Sequence, residues 1–245
     1  MIIHQCTQGS PEWLQLRLGI PTASEFHRIL SPTGKRSTQS QAYMHRLLAE
    51  WLTGAPLENI ETQWMQRGSD LEEQAVRAYE FAAESETQVV GFITNDAGTI
   101  GCSPDRLVGE KRGLELKCPA PQTHIGYLLA KTVDEAYKPQ VQGCLYITER
   151  EGWDVCSYYP TLPLALVKVE RDENYIDLLA DELDEFCQRL ETAKQYLIEH
   201  CGAVPQQQII AAKQVDDPLG FDLTDEDVAT IWKTKQQAGS RNIHQ

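Results

Sequence analysis

Hydrophobic positions along this chain recur at two periods. Up to about residue 84 they step by three and four, as on one face of a helix. Ser10 followed by Pro11 opens a first helix, and Gly19 lies just past its end. The capping-box pattern Thr22-Ala23-Ser24-Glu25 predicts a second helix starting at Thr22. Tyr43, Leu47, Leu48, Trp51 and Leu52 share a face of a third helix that stops at Gly54. Leu71, Ala75, Tyr79 and Ala82 mark a fourth, beginning near Gly68.

The period then changes to two. Residues 88–94, 99–102, 105–109 and 113–118 read as short strands between Gly and Asn turns. Residues 122–130 and 138–148 read as helices, the second with Pro139 in its first turn, and 153–159 and 164–170 as two more strands. In 172–201, Ile176, Leu179, Leu183, Phe186, Leu190, Ala193 and Leu197 step alternately by three and four. That spacing fits a coiled-coil seam and, more simply, a long amphipathic helix packed on the sheet. Past Gly202, Pro205-Gln206-Gln207-Gln208 and Asp216-Asp217-Pro218 read as linker, with one short helix from Thr224 to Lys235. The expected organisation is an α/β (α+β) domain over residues 1–202, with a mixed central β-sheet flanked by helices, and a C-terminal appendage over 203–245.

Apolar residues at 41% and charged residues at 24% fit a soluble globular protein. No apolar run approaches a membrane span, and the N-terminus has no basic region followed by an apolar stretch. The seven cysteines are scattered without a CxxC pair, which predicts neither a zinc site nor a disulfide framework, but a reduced, cytoplasmic protein. The net charge of −14 at first argues against a nucleic-acid partner. Its distribution changes that picture. Residues 1–57 are net +2, and residues 172–201 alone are net −7, on a helix whose apolar stripe turns its acids outward. An acidic face farther than about 10 Å from a basic pocket is largely screened at ordinary salt.

The chemistry concentrates in Ser103-Pro104-Asp105 and Glu115-Leu116-Lys117. Glu115 and Lys117, two apart on a strand, share a face, and the turn 109–113 can bring Asp105 beside them. Two carboxylates with the Leu116 carbonyl make a hard oxygen site for Mg²⁺ or Mn²⁺, and a neighbouring lysine can orient a water. The same string also fits a solvated hairpin with cross-strand ion pairs. Glu72 on the fourth helix offers a third carboxylate, or is a surface residue. The turn from Arg17 to Glu25 offers an anion site or an ordinary cap. Gln140 and Gln142 lie about 200° apart on a helix, so only one can face the hairpin.

Together these blocks resemble the PD-(D/E)xK nuclease superfamily and, within it, the phage lambda-type exonucleases, or YqaJ family of viral recombinases. The resemblance runs from about residue 12 to 200. It rests on Trp13 to Ser24, the Gly68…Glu72 helix, Cys102-Ser103-Pro104-Asp105, Gly113 to Pro119, and Gln140-Val141-Gln142. It implies a restriction-endonuclease-like fold and a 5′→3′ exonuclease acting on double-stranded DNA ends. Such an enzyme yields mononucleotides and a 3′ overhang, works as a homotrimeric ring, and cooperates with a single-strand annealing protein.

Residue by residue, the resemblance implies metal binding by Asp105, Glu115 and the Leu116 carbonyl, with Glu72 helping at a second Mg²⁺. Lys117 would position the attacking water. Gln140 matches the active-site glutamine, with Gln142 as second choice because it fits a QxxxY pattern with Tyr146. Arg17, Ser24 and Ser103 match a pocket for the 5′-phosphate, and Met65 or Trp64 would part the duplex end. Related nucleases with an iron–sulfur cluster need three late cysteines, whereas only Cys187 and Cys201 lie late here, so no cluster is expected. The competing readings are a structure- or sequence-specific endonuclease on the same fold and a non-catalytic DNA-end-binding adaptor.

Overall fold

The computed structural model describes the backbone of residues 1–57, 63–132 and 134–206, and the side chains of all these except 63–70. Helix α1 (Pro11–Arg17) is capped by Ser10, which accepts the Trp13 backbone N–H. Helix α2 (Ser40–Thr53) ends at Gly54, in the left-handed region. Helix α3 (Gln63–Ala83) starts five residues before the expected Gly68. The expected second helix is instead a 3₁₀ turn over Ala23–Arg28, and its capping box does not form. Thr22 is held in an extended bridge to Gly101, its N–H donating to the Tyr43 hydroxyl at 3.2 Å, while Glu25 is drawn into ion pairs with Arg28 and Arg46.

The strands form two sheets. β1 (Ile2–His4), β3 (Phe92–Thr94) and β4 (Gly101–Cys102) make a small antiparallel one in the order β1-β3-β4. The larger has the order β2-β5-β6-β7-β8, from β2 (Thr87–Gln88), β5 (Arg106–Val108), β6 (Arg112–Lys117), β7 (Gly152–Ser157) and β8 (Ala165–Glu170). In this sheet β6 and β7 pair in parallel, joined by α4 (Pro121–Ala130), a 3₁₀ turn and α5 (Lys138–Thr148), and the other neighbours pair antiparallel. The single strand expected over 88–94 is broken between the two sheets. A Cβ on Gly91 would meet the Cys6 carbonyl oxygen at 2.2 Å, so the N-terminal segment crosses there against bare backbone.

Helix α6 (Glu173–Cys201) is capped by Asp172 and ends at Gly202. It buries Tyr175, Ile176, Leu179, Leu183, Phe186 and Leu190. Its main supports are α2 and α5 rather than the sheet, with Tyr43 stacked on Phe186 at 5.6 Å. The main core gathers Phe26, Leu47, Leu145, Trp153 and Phe186, and a smaller cluster of Tyr79, Val108, Leu114 and Cys156 seats α3 on the sheet. No disulfide joins the seven cysteines, and among the described residues no helix is long and apolar enough to cross a membrane. The expected wedge side chains of Trp64 and Met65, and the tail helix from Thr224 to Lys235, lie outside the described residues.

Candidate active site

The site begins where a β-ladder runs out. β5 pairs with β6 only as far as Arg106 opposite Leu114. Beyond that point the N–H of Leu116 is taken by a side chain, Asp105 Oδ2, at 2.5 Å. This contact pins the Asp105 carboxylate against β6 next to Glu115, which is 5% exposed. Lys117 donates to Glu115 Oε1 at 2.6 Å, and Gln140, in the first turn of α5, donates to the same oxygen at 2.7 Å. Asp105, Glu115, Lys117 and Gln140 are therefore one cluster drawn from a strand end, a strand and a helix. Gln142 points elsewhere. It is buried and bridges the Glu170 carbonyl and the Asp172 N–H, at 3.0 and 2.9 Å.

Burial, and then the neighbouring Glu115 charge, push the Asp105 carboxyl well above the ordinary carboxylate range. Burial alone would lower the Lys117 ammonium, but Glu115, with Asp105, outweighs it and keeps the amine protonated. Lys117 is thus a donor, further held by the Tyr137 ring 4.7 Å away. Among the described residues Asp105 Oδ1 and Glu115 Oε2 accept no hydrogen bond. Two adjacent, partly covered carboxylates with one open oxygen each fit a hard divalent cation. Among the described residues no group of three or more His, Cys, Asp or Glu side chains is placed to hold a metal. The third carboxylate expected, Glu72, is engaged by an arginine. It accepts from Arg106 Nη1 at 2.6 Å, the same nitrogen that bonds the Asp105 carbonyl.

Of the residues expected to form an anion site, Arg17 and Ser103 are in direct contact. Arg17 Nη1 donates to Ser103 Oγ at 3.1 Å, and Trp13 Nε1 donates to the same oxygen at 2.9 Å. The Arg17 guanidinium lies 4.1 Å over the Trp13 ring and 5.8 Å from the Phe92 ring. Burial lowers its pKa, and among the described residues it makes no ion pair. Ser24 is exposed and its hydroxyl meets Thr22 at 3.4 Å, one bridge away from Gly101 at the start of the strand that leads to Ser103.

Sequence reasoning passed over three supporting residues. Arg106 follows the candidate ligand directly, yet its partner on α3 is 34 positions away. Tyr137 precedes Lys138-Pro139, where a helix start dominates the signal. Gln8 donates to the Val90 and Pro104 carbonyls at 3.0 and 2.7 Å, in a segment with no periodic pattern.

Residues 12–151 match the model of the YqaJ-like viral recombinase domain. Among solved structures, an alkaline exonuclease from Laribacter hongkongensis (LHK-Exo) is 31% identical, with a TM-score of 0.72 over 79% of this chain and 98% of that one. The structure of LHK-Exo in complex with dAMP matches with a TM-score of 0.71, again at 31% identity over the same shares of the two chains. A phage-related exonuclease from Haemophilus somnus shares the fold, at 15% identity and a TM-score of 0.61 over 73% of this chain and 96% of that one. No curated protein sequence matches the chain.

Proposed function

The chain belongs to the YqaJ-like viral recombinase domain family, and from that premise we propose that it is a Mg²⁺-dependent 5′→3′ exonuclease on linear double-stranded DNA. Its products are mononucleotides and a 3′ single-stranded overhang. The observation that carries this reading is the convergence of Asp105, Glu115, Lys117 and Gln140 on one carboxylate-centred cluster. A neighbour of 31% identity solved with dAMP adds support for a nucleotide product.

In this reading Asp105, Glu115 and the Leu116 carbonyl hold the cation, with Mn²⁺ able to substitute. Glu72 serves a second ion by exchanging its Arg106 partner or through water. Bound there, the ions lower the pKa of a water and neutralise phosphate charge. The protein's own part is to orient. Lys117, kept charged by Glu115, donates to the attacking water or to a phosphate oxygen. Gln140 fixes the Glu115 carboxylate so that its second oxygen stays open. Arg17 and Ser103, with Ser24 at the edge, receive the terminal 5′-phosphate, and Met65 or Trp64 wedges the duplex end. We further assign a homotrimeric ring, a single-strand annealing protein as partner, no iron–sulfur cluster and a cytoplasmic location. Residues 1–202 make the nuclease domain and 203–245 an appendage.

Digestion of 5′-labelled and 3′-labelled linear duplexes with Mg²⁺ tests the reading. Labelled mononucleotides should leave the 5′ end at once, and the 3′ label should stay in long strands. Nicking of closed circles would instead indicate an endonuclease, and end binding without cleavage an adaptor.

A further inference from the structure

We infer that Trp13 is the positioning residue that sets the preference of this site for a terminal phosphate monoester. The inference rests on the reading of Arg17 and Ser103 as the end-binding pocket, and deepens it. The argument starts from the Ser103 hydroxyl. A serine oxygen offers two acceptor positions and one proton. Here Trp13 Nε1 and Arg17 Nη1 donate to it at 2.9 and 3.1 Å. Indole and guanidinium are donors only. Neither can accept the serine proton, so it must turn away from both and is left to donate. The indole thus converts a hydroxyl that could rotate freely into a fixed donor, which suits an anion.

The same ring fixes the cation. Its face lies 4.1 Å from the Arg17 guanidinium carbon, and Phe92 lies beyond at 5.8 Å. This cation–π contact holds the guanidinium, and one of its five N–H groups is spent on Ser103. Trp13 is itself anchored, because its backbone N–H caps onto Ser10 Oγ at 3.2 Å. One side chain therefore orients both donors, by its edge and by its face. A phosphate monoester collects them together, whereas a 5′-hydroxyl end leaves the charged donor unmet.

The test compares kcat/KM on duplexes ending in 5′-phosphate and in 5′-hydroxyl. Wild-type protein should prefer the phosphate; absence of any preference would defeat the pocket reading itself. Trp13→Phe keeps a ring face and loses the N–H, and should cut the preference about tenfold, the scale of one hydrogen bond to a charged group. Trp13→Leu should cut it further. In a Ser103→Ala background Trp13→Phe should add nothing, since the edge acts through that hydroxyl. Benzothienylalanine at position 13, isosteric with tryptophan but lacking the N–H, repeats the test without a cavity. Equal losses on both ends, or additive losses in the double variant, would overturn the inference.

Discussion

Gln140 donates its side-chain amide to Oε1 of Glu115 at 2.7 Å, whereas Gln142 never reaches the cluster. The two glutamines should therefore fail differently. Gln140→Leu should slow cleavage by about 10- to 100-fold, the value of a hydrogen bond to a charged group, with little change in Tm. Gln142→Leu leaves the Glu170 carbonyl and the Asp172 N–H without their partner, and should cost about 1–3 kcal/mol of stability. Its folded fraction should cleave at close to the normal rate. Urea unfolding and single-turnover cleavage of both variants separate the two outcomes.

The Asp105 carboxyl, raised by burial and by Glu115, makes metal-free stability depend on pH. A raised folded pKa gives stability that is full below the ordinary value of 3.8 and is lost as pH climbs through the raised value. A divalent cation offsets the same repulsion. The rise in Tm caused by Mg²⁺ should therefore grow as pH climbs from the ordinary value of 3.8 through the raised value of the Asp105 carboxyl. Asp105→Asn should flatten that dependence, and thermal unfolding with Mg²⁺ or with EDTA at each pH measures it.

Arg106 holds Glu72, the carboxylate proposed for a second cation, in an ion pair. Arg106 is 9% exposed, and its guanidinium spends one nitrogen on both Glu72 and the Asp105 carbonyl. Arg106→Met should destabilise the fold by about 1–3 kcal/mol, since that carbonyl loses its donor. It should also tighten Mg²⁺ binding several-fold by calorimetry. If Glu72 is a ligand, adding Glu72→Gln removes that gain; an undiminished gain would exclude Glu72.

Gly113 lies two residues before Glu115 and opposite Trp153 across the parallel pair. A Cβ there would stand 2.3 Å from the Trp153 ring, which is fully buried and cannot withdraw. Gly113→Ala should cost at least about 1–3 kcal/mol by overpacking, visible as a lower urea midpoint.

What the chain revealed in advance was whatever local chemistry governs. Ser10, Gly54 and Gly202 mark helix ends because a cap is a matter of a few neighbouring residues. The Asp105, Glu115 and Lys117 cluster was legible because a hairpin's register follows from its turn. Contacts between distant segments were not. The break at 89–91 depends on Cys6 crossing Gly91, and the lost capping box on Arg46 reaching Glu25 from α2. Strand β1 escaped notice because three residues, exposed or half-exposed, carry no periodic signal. Glu72 was correctly placed on a helix, but its Arg106 partner could not be read from either segment alone.

Ser103 and Asp105 are separated only by Pro104, whose carbonyl is pinned by Gln8. The proline fixes its own φ and holds the residue before it extended. The residue proposed to receive the 5′-phosphate and the carboxylate proposed to hold the cation are consequently joined through one short, stiff segment. Neither can be moved without moving the other. If the proposed roles hold, reshaping this segment to change which ends are accepted should disturb the cut as well, so that a lineage seeking new end specificity would have to work from the Arg17 side.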